Sequence, residues 1–313
     1  MDSIRRRSTM FRYAVKRILT GLLTVFVLIT LVFMLMKVLP GGPFDSDRVT
    51  DQRVIQIIEA RYNLDKPVMV QYLLYLQSVL RGDLGESFKK VGTSVTELIG
   101  NLAPVTFRLG MVSLVVSVGL GLLLGIIAAL SRRPSVQASI VALATVGISI
   151  PGFLLALFLM YLFAVKLGLL PIIGLSTWKH YVMPTAALSF YPVAFISRMT
   201  RSVLTEVIKQ DYIVMAKSKG LAWRTIIWRH ALKNVLIPIV TYLGPMIAYL
   251  MTGSFVIENL FAIPGIGREL INSIQGRDAP VVLGLTIFLG AFIVAMNLIV
   301  DLMLGLIDPR IKV

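Results

Sequence analysis

Six long runs of uncharged, mostly apolar residues constrain this chain more than any other feature. A helix of about 20 such residues crosses a hydrocarbon core about 30 Å thick. The chain is 57% hydrophobic and only 15% charged, whereas soluble proteins carry about 25% charged residues. We therefore predict an all-α polytopic membrane protein with six transmembrane helices. The runs occupy residues 18–36, 109–130, 138–165, 181–196, 235–257 and 280–300.

Two of these runs depart from a plain spanning helix. The third contains Pro151 and Gly152 in sequence, which predicts a kink whose freed backbone groups neighbouring helices must satisfy. The fourth, 181–196, is the shortest run. We expect its helix to continue past the hydrocarbon into the polar segment that follows.

The polar segments predict the domain organisation. Residues 1–17 are basic and residues 18–39 form the first span, which is too long for the h-region of a signal peptide and lacks a following cleavage site. Residues 40–103 form a small helical insert, and residues 104–313 contain the five remaining spans. The insert either contacts a partner outside the membrane or caps the helix bundle.

The distribution of basic residues sets the orientation. With a cytoplasmic N-terminus, the inner segments hold most of the excess of Lys and Arg over acids, as the positive-inside rule requires. Both termini are then cytoplasmic, and the insert is extracytoplasmic. This arrangement accounts for nearly all of the net charge of +15 without nucleic acid as a partner.

A basic segment, 198–238, is the longest polar interruption in the second half of the chain. Apolar residues recur at helical spacing on both sides of Gly220, which predicts two short amphipathic helices meeting at a Lys-Gly turn in the cytoplasm. Such a hairpin either docks a cytoplasmic protein or lies on anionic lipid.

Several kinds of chemistry find no support in the sequence. The chain has no cysteine and two histidines, His180 and His230, on opposite sides of the membrane, so we predict no metal site. No phosphate-binding G-x-x-x-x-G-K-[ST] motif occurs, so energy must come from a partner or an ion gradient. Asp301, near the inner end of the last run, could relay protons, but we expect a structural hydrogen bond, with Asn297 as the partner.

A set of motifs resembles one family over nearly the whole chain. The hairpin carries YIxxAKxKG at 212–220, WR at 223–224 and RHAL at 229–232. It resembles the cytoplasmic "EAA" loop of ATP-binding cassette (ABC) importer permeases, closest to the first, B-type permease of oligopeptide and dipeptide systems. LPGGPF after the first span, GDLGxS in the insert, GSFVIE and PGIG after the fifth span, and RDxP before the sixth also resemble this family.

The resemblance implies a type I ABC importer permease fold in a bacterial cytoplasmic (inner) membrane. It also implies a second, paralogous permease subunit, two cytoplasmic ATPases that bind ATP and Mg²⁺, and an extracytoplasmic solute-binding protein. The chain itself would be a transport subunit without cofactors, in contact with lipid. Oligopeptides or dipeptides are the expected substrates. Nickel complexes or glutathione within the same family, and an ion-gradient-driven transporter, are alternatives.

The hairpin before Gly220 would be the coupling helix that transmits ATPase motion. Ala216 would allow close approach to the ATPase, and Gly220 would tolerate the backbone angles of the turn. The glutamate and first alanine of the general motif are replaced by Val214 and Met215, so no glutamate contact is implied. The predicted ATPase-coupling residues are Tyr212, Met215, Ala216, Lys217, Ser218, Lys219, Gly220, Trp223 and Arg224.

Polar and small residues inside spans are candidates for lining or gating the transport path, with plain helix packing as the alternative for each. These candidates are Thr145, Ser149, Pro151, Gly152, Ser189, Tyr191, Thr241, Tyr242 and Gly244. A glycine-rich patch after the fifth span predicts a short turn or re-entrant piece at the outer face. Its motif residues are Glu258, Pro264, Gly265 and Gly267.

Overall fold

The computed structural model describes residues 2–38, 63–90, 92–252 and 254–307, and these residues form helices joined by short connections. The predicted LPGGPF motif, much of the insert and the C-terminal tail lie outside the described residues. The helices are α1 Asp2–Val38, α2 Val68–Leu80, α3 Val95–Leu130, α4 Pro134–Ser149, α5 Gly152–Leu159, α6 Trp178–Val207, α7 Asp211–Ser218, α8 Trp223–Thr225, α9 Leu232–Thr252, α10 Ser254–Leu260, α11 Ile266–Gln275 and α12 Ala279–Ile307. Two π-helical segments, Met160–Lys166 and Ile226–Ala231, continue α5 and join α8 to α9.

Among the described residues, four helical stretches are long and apolar enough to cross a membrane. They are Ala14–Val38 within α1, helix α3, the stretch from α8 to α10, and Ala279–Met303 within α12. Helix α4 and the stretch Gly152–Lys166, which is α5 with its π-helical continuation, form a fifth, broken candidate span, bent by 104° at the break between Ser149 and Gly152. The predicted kink in the third apolar run is therefore confirmed, and it is a sharp bend.

The remaining predicted span lies in α6, which is 30 residues long but less apolar than the spanning stretches. Its position explains this composition, because α6 packs against α3, α4, α5, α9 and α10. A helix enclosed by protein needs no continuous apolar surface for lipid. Its side chains Thr185, Ser189 and Thr200 are buried within the bundle.

Small residues let α3 and α6 approach closely. A Cβ atom on Gly121 would lie 2.7 Å from Cβ of Ile196, and one on Gly125 would lie 2.6 Å from the backbone carbonyl of Ser197. These separations are below van der Waals contact, so both positions require glycine. The glycine-rich run of the second span is thus a packing surface, as small residues commonly are between membrane helices.

Helix α1 packs on the outside of the bundle, along α12. A Cβ on Gly21 would lie 2.7 Å from Val294, and Nε of Arg17 lies 3.2 Å from a carboxylate oxygen of Asp301. The predicted hydrogen bond between Asp301 and Asn297 is wrong. The guanidinium of Arg17 in α1 is a charged partner for this carboxylate. At the edge of a membrane span, a charged partner stabilises a carboxylate better than the neutral amide of Asn297 would.

Candidate functional site: the basic hairpin and the predicted path residues

Helix α7 ends in a Schellman turn at Gly220. The N–H of Leu221 donates to the carbonyl of Ala216 at 3.3 Å, and the N–H of Gly220 donates to that of Lys217 at 3.0 Å. This pair of bonds satisfies the last carbonyls of the helix and places the C′ residue in the left-handed region. Gly220 adopts φ +78° there, which explains why the sequence has glycine at this position.

The predicted first helix of the hairpin is two helices in the structure. Helix α6 runs to Val207, a turn follows, and α7 occupies Asp211–Ser218. After Gly220 the chain enters α8 and passes through the π-helical segment into α9 without a break. The predicted coupling segment is thus a short helix held between the ends of two long helices.

The two faces of α7 differ in exposure. Ile213 and Ala216 face the protein interior, and Ala216 is only 8% exposed. Val214 and Met215 face outward, with Met215 58% exposed. The close approach that Ala216 permits is therefore to this chain's own core. The outward surface of α7 comes from Val214 and Met215, the two positions at which the sequence departs from the general motif.

Basic and aromatic residues extend this outward surface. Lys217, Ser218 and Lys219 on one side of Gly220, and Trp223 and Arg224 on the other, are all exposed. Trp228 follows on the π-helical segment with 69% of its surface exposed. An apolar centre with a cationic margin suits docking to a protein groove of mixed apolar and acidic character.

A hydrogen bond ties α7 to α9. Nδ2 of Asn234 donates to the hydroxyl of Tyr212 at 2.5 Å. Ile213 and Ala216 pack in the same buried cluster as Ile226 and Ala231 of the π-helical segment. Helix α7 is therefore joined to the start of α9 and the segment before it by both a polar and an apolar contact.

The candidate path residues of α4 lie at the bend. The hydroxyls of Thr145 and Ser149 are exposed and donate to the backbone carbonyls of Val141 and Thr145, respectively, at 2.9 Å each. Pro151 caps α5, and a Cβ on Gly152 would lie 3.1 Å from the carbonyl of Ala187 in α6. Gly152 thus allows the broken span to lie close against α6.

The candidates on α6 and α9 divide into two groups. Ser189 is buried and donates to the carbonyl of Ser113 at 3.1 Å, and a Cβ on Gly244 would lie 2.8 Å from Oδ1 of Asn297. These two residues serve helix packing. Thr241 is exposed, and its hydroxyl donates to the carbonyl of Ile237.

Tyr191 and Tyr242 belong to a group of four half-buried rings. Phe195 and Tyr242 stack with centroids 4.3 Å apart, and Tyr191 lies 5.5 Å from Tyr249 and 6.3 Å from Phe195. We call these four residues the aromatic cluster. Sequence reasoning found Tyr191 and Tyr242 but missed Phe195 and Tyr249. Phe195 lies four residues after Tyr191, and Tyr249 lies seven residues after Tyr242, so each shares a helical face with the tyrosine before it.

The outer-face motif is built around the carboxylate of Glu258, which is fully buried. One carboxylate oxygen accepts from the hydroxyl of Thr106 at 2.7 Å, and the other accepts from the N–H groups of Gly267 and Arg268 at 2.8 and 3.2 Å. Glu258 thereby caps the N-terminus of α11, where a negative charge is favoured. A Cβ on Gly265 would collide with this carboxylate, and one on Gly267 would lie 2.5 Å from Cα of Phe255.

Pro264 lies in the connection between α10 and α11, just before the first turn of α11 that this carboxylate caps. Sequence reasoning did not find Thr106, which is an isolated hydroxyl in an apolar helix, or its distant pairing with Glu258. Asp278 belongs to the RDxP motif, but sequence reasoning assigned it no function. Asp278 is buried and bonds the hydroxyl of Ser87 and the N–H of Phe88 in the insert.

No group of three or more His, Asp or Glu side chains that could hold a metal ion occurs among the residues that the structure describes. The polar clusters that the structure does form at Glu258 and Asp278 are satisfied by hydroxyl and backbone donors. These groups therefore fix backbone geometry.

The broken span, the enclosed α6 and the basic hairpin together form the type I fold of ABC importer permeases. Solved structures of the MetNI methionine ABC transporter in inward-facing conformations share this fold. One of their chains matches 67% of the present chain and is itself covered to 96%, with a TM-score of 0.57 and 20% sequence identity.

The chain belongs to the family of binding-protein-dependent transport system inner membrane components, which matches residues 121–313, and its N-terminal companion family matches residues 10–109. The dipeptide transport system permease protein DppB of Bacillus subtilis is 47% identical over 303 residues, covering 97% of this chain and 98% of the relative. The oligopeptide transport system permease proteins OppB of Haemophilus influenzae and Escherichia coli K12 are 40% and 39% identical, each covering 97% of this chain and all of the relative. The chain is thus a multi-pass membrane transport component, and the predicted family is confirmed.

Proposed function

We propose that this chain is a permease subunit that moves dipeptides or oligopeptides across the bacterial cytoplasmic membrane into the cell. The observation that carries the proposal is the 47% identity, over nearly the full length, to a dipeptide permease. The structure supports it with a docking surface on α7 of the kind that an ATP-driven permease requires.

In this proposal, transport is driven by ATP and Mg²⁺ bound to two separate cytoplasmic ATPases, and this chain hydrolyses nothing. A second permease subunit completes the path, and an extracytoplasmic solute-binding protein delivers the peptide. Both termini and the hairpin lie in the cytoplasm, consistent with the excess of Lys and Arg in these segments.

The outward surface of α7 would contact one ATPase through Val214 and Met215, bordered by Lys217 and Lys219. Gly220 and its Schellman turn fix where this surface points. The bond from Asn234 to Tyr212 would pass the motion of the ATPase to α9, and the continuous chain from α6 would pass it to the other side of the path.

Uptake of a labelled dipeptide by cells that lack this chain tests the proposal. We expect the wild-type chain to restore uptake and Met215→Glu to reduce it at least about tenfold, because an unpaired charge in a docking groove costs roughly 2–5 kcal/mol. Val15→Glu, at an apolar position near the start of the first spanning stretch that is 38% exposed against 58% for Met215, is the control outside the hairpin.

Failure of the wild-type chain to restore dipeptide or oligopeptide uptake, while a nickel complex or glutathione is taken up, would refute the peptide substrate. Equal uptake by Met215→Glu and Val15→Glu would refute docking through α7. Collapse of the proton gradient, with ATP levels maintained, should leave uptake intact.

A further inference from the structure

The aromatic cluster has an unusual composition for a surface at the centre of membrane helices. Tyr191 lies near the middle of α6, and Tyr242 lies near the middle of α9. The surfaces of α1 and α3 that face outward instead carry Leu, Val and Met side chains, including Leu22, Met111 and Val115. Phenol hydroxyls are normally placed at the membrane interface, where water reaches them.

Position along the helices gives the cluster a direction. Helix α6 runs toward the cytoplasmic hairpin and α9 runs away from it. Tyr249 and Tyr191 therefore form an outer pair, and Phe195 and Tyr242 form an inner pair. One turn further toward the hairpin on the same face of α6 lies the exposed side chain of Arg198. The face thus changes from aromatic to cationic as it approaches the cytoplasm.

Each ring is half-buried, with the rest of its surface left open by the residues that the structure describes. Next to Tyr242 on α9, Thr241 and Pro245 are exposed as well. A face with several hydroxyls at this depth is costly against hydrocarbon, where polar groups lack partners. It suits a water-containing path.

The cluster is also connected to the hairpin on both sides. Tyr242 lies two turns beyond Asn234, whose side chain is bonded to Tyr212 of α7. Phe195 lies on α6, about 18 Å from Val207 at 1.5 Å per residue. Relative motion of α6 and α9 at the hairpin therefore changes the stacking of the two pairs directly.

We propose that the aromatic cluster is the constriction of the transport path and the site that contacts the peptide in transit. This inference rests on the proposed function. The rings stack on apolar and aromatic peptide side chains, and the tyrosine hydroxyls bond the peptide backbone, which is common to all sequences. Such a site accepts peptides of many sequences, since neither contact depends on one particular side chain.

Because the chain has no cysteine, a single introduced cysteine is the only thiol in this chain that a reagent can label, and its accessibility can be measured. Phe195→Cys and Tyr242→Cys are introduced singly into the complete transporter, reconstituted in vesicles with its partner subunits. Leu22→Cys, on the outward surface of α1, is the lipid-facing control. A charged, membrane-impermeant thiol reagent is added with and without a transported dipeptide, and labelling of this chain is followed.

We expect Phe195→Cys and Tyr242→Cys to be labelled at least about tenfold faster than Leu22→Cys, because the reacting thiolate forms poorly in apolar surroundings. The dipeptide should slow labelling at both positions and leave Leu22→Cys unchanged. Tyr242→Phe should raise the KM for uptake with kcat nearly retained, whereas Tyr242→Ala should reduce both uptake and its coupling to ATP hydrolysis.

Labelling as slow as that of Leu22→Cys, or labelling that the dipeptide does not change, would overturn the inference; the second result would assign the cluster to a contact between permease subunits. These outcomes are separable from failure of the proposed function, because wild-type uptake of the same dipeptide is measured in the same vesicles. Wild-type vesicles that take up no peptide would refute both.

Discussion

The carboxylate of Glu258 accepts a hydrogen bond from the hydroxyl of Thr106 at 2.7 Å, across 152 residues of sequence. This bond joins α3 to α10, the helix that contains Glu258. The same carboxylate accepts from N–H groups in the first turn of α11, so one buried side chain links three helices.

Glu258→Gln keeps the shape of the side chain but replaces one carboxylate oxygen with an NH₂ group. This group cannot accept the hydrogen bonds that the Thr106 hydroxyl and the N–H groups of α11 donate. We expect a loss of roughly 1.5–3 kcal/mol for each charged hydrogen bond disturbed, seen as a lower thermal unfolding midpoint of the purified transporter. Glu269→Gln, which neutralises the acidic partner of the half-exposed Lys90, is the control and should cost less, about 1 kcal/mol, because water reaches the Lys90 side of the pair. Equal midpoints for the two variants would contradict the assigned role of Glu258.

Gly125→Ala should separate α3 from α6, since its Cβ would lie 2.6 Å from the carbonyl of Ser197. Overpacking of this kind costs roughly 1–3 kcal/mol, measurable as lower yield and thermal stability in detergent. Gly119→Ala in the same helix meets nothing within 4 Å and should be neutral. A comparable loss in both variants would argue that helix flexibility, and not close contact, requires glycine.

Gly220→Ala should strain the Schellman turn, because a non-glycine residue in the left-handed region costs roughly 1–2 kcal/mol. The chain should still insert, while peptide uptake per ATP hydrolysed should fall as α7 changes direction. Gly220→Asn should retain more uptake, since asparagine tolerates this conformation. Gly100→Ala, a helical position with open space around it, provides the control. Normal coupling in Gly220→Ala would show that the turn need not be rigid.

Tyr212→Phe removes the bond to Asn234 and leaves the ring in place. We expect ATP hydrolysis to continue with reduced peptide uptake, because α7 would move without carrying α9. The exposed Tyr161, outside the hairpin, offers Tyr161→Phe as a comparison. An unchanged ratio of uptake to hydrolysis in Tyr212→Phe would assign transmission to the apolar contacts of Ile213 and Ala216 alone.

Features of the fold that depend only on adjacent residues could be predicted from the sequence. Proline and glycine at 151–152 predicted the 104° bend, and Gly220 predicted the turn, because both depend on backbone preferences of adjacent residues. The partners of Glu258, Asp278 and Asp301 could not be predicted this way. Each pair joins segments far apart in the chain, and a single polar residue in an apolar run carries no sign of which helix will lie beside it.

Periodicity likewise placed the hairpin helices, but it could not say which face of α7 is free. Ala216 appeared to be the residue of close approach, and it is, yet its neighbours are this chain's own residues. Only the three-dimensional arrangement of the π-helical segment beneath α7 decides that Met215 points outward. The roles of these residues in coupling stay predictions until the variants are measured.

The enclosed position of α6 has a consequence for how the protein is made. A segment with Lys179 and His180 at one end, Arg198 and Arg201 at the other, and buried hydroxyls between them partitions poorly into lipid by itself. Helix α3 precedes α6 in the chain and packs closely against it through small residues. We therefore expect stable insertion of α6 to depend on α3, so that a bulky residue at Gly121 or Gly125 should reduce the amount of correctly inserted chain.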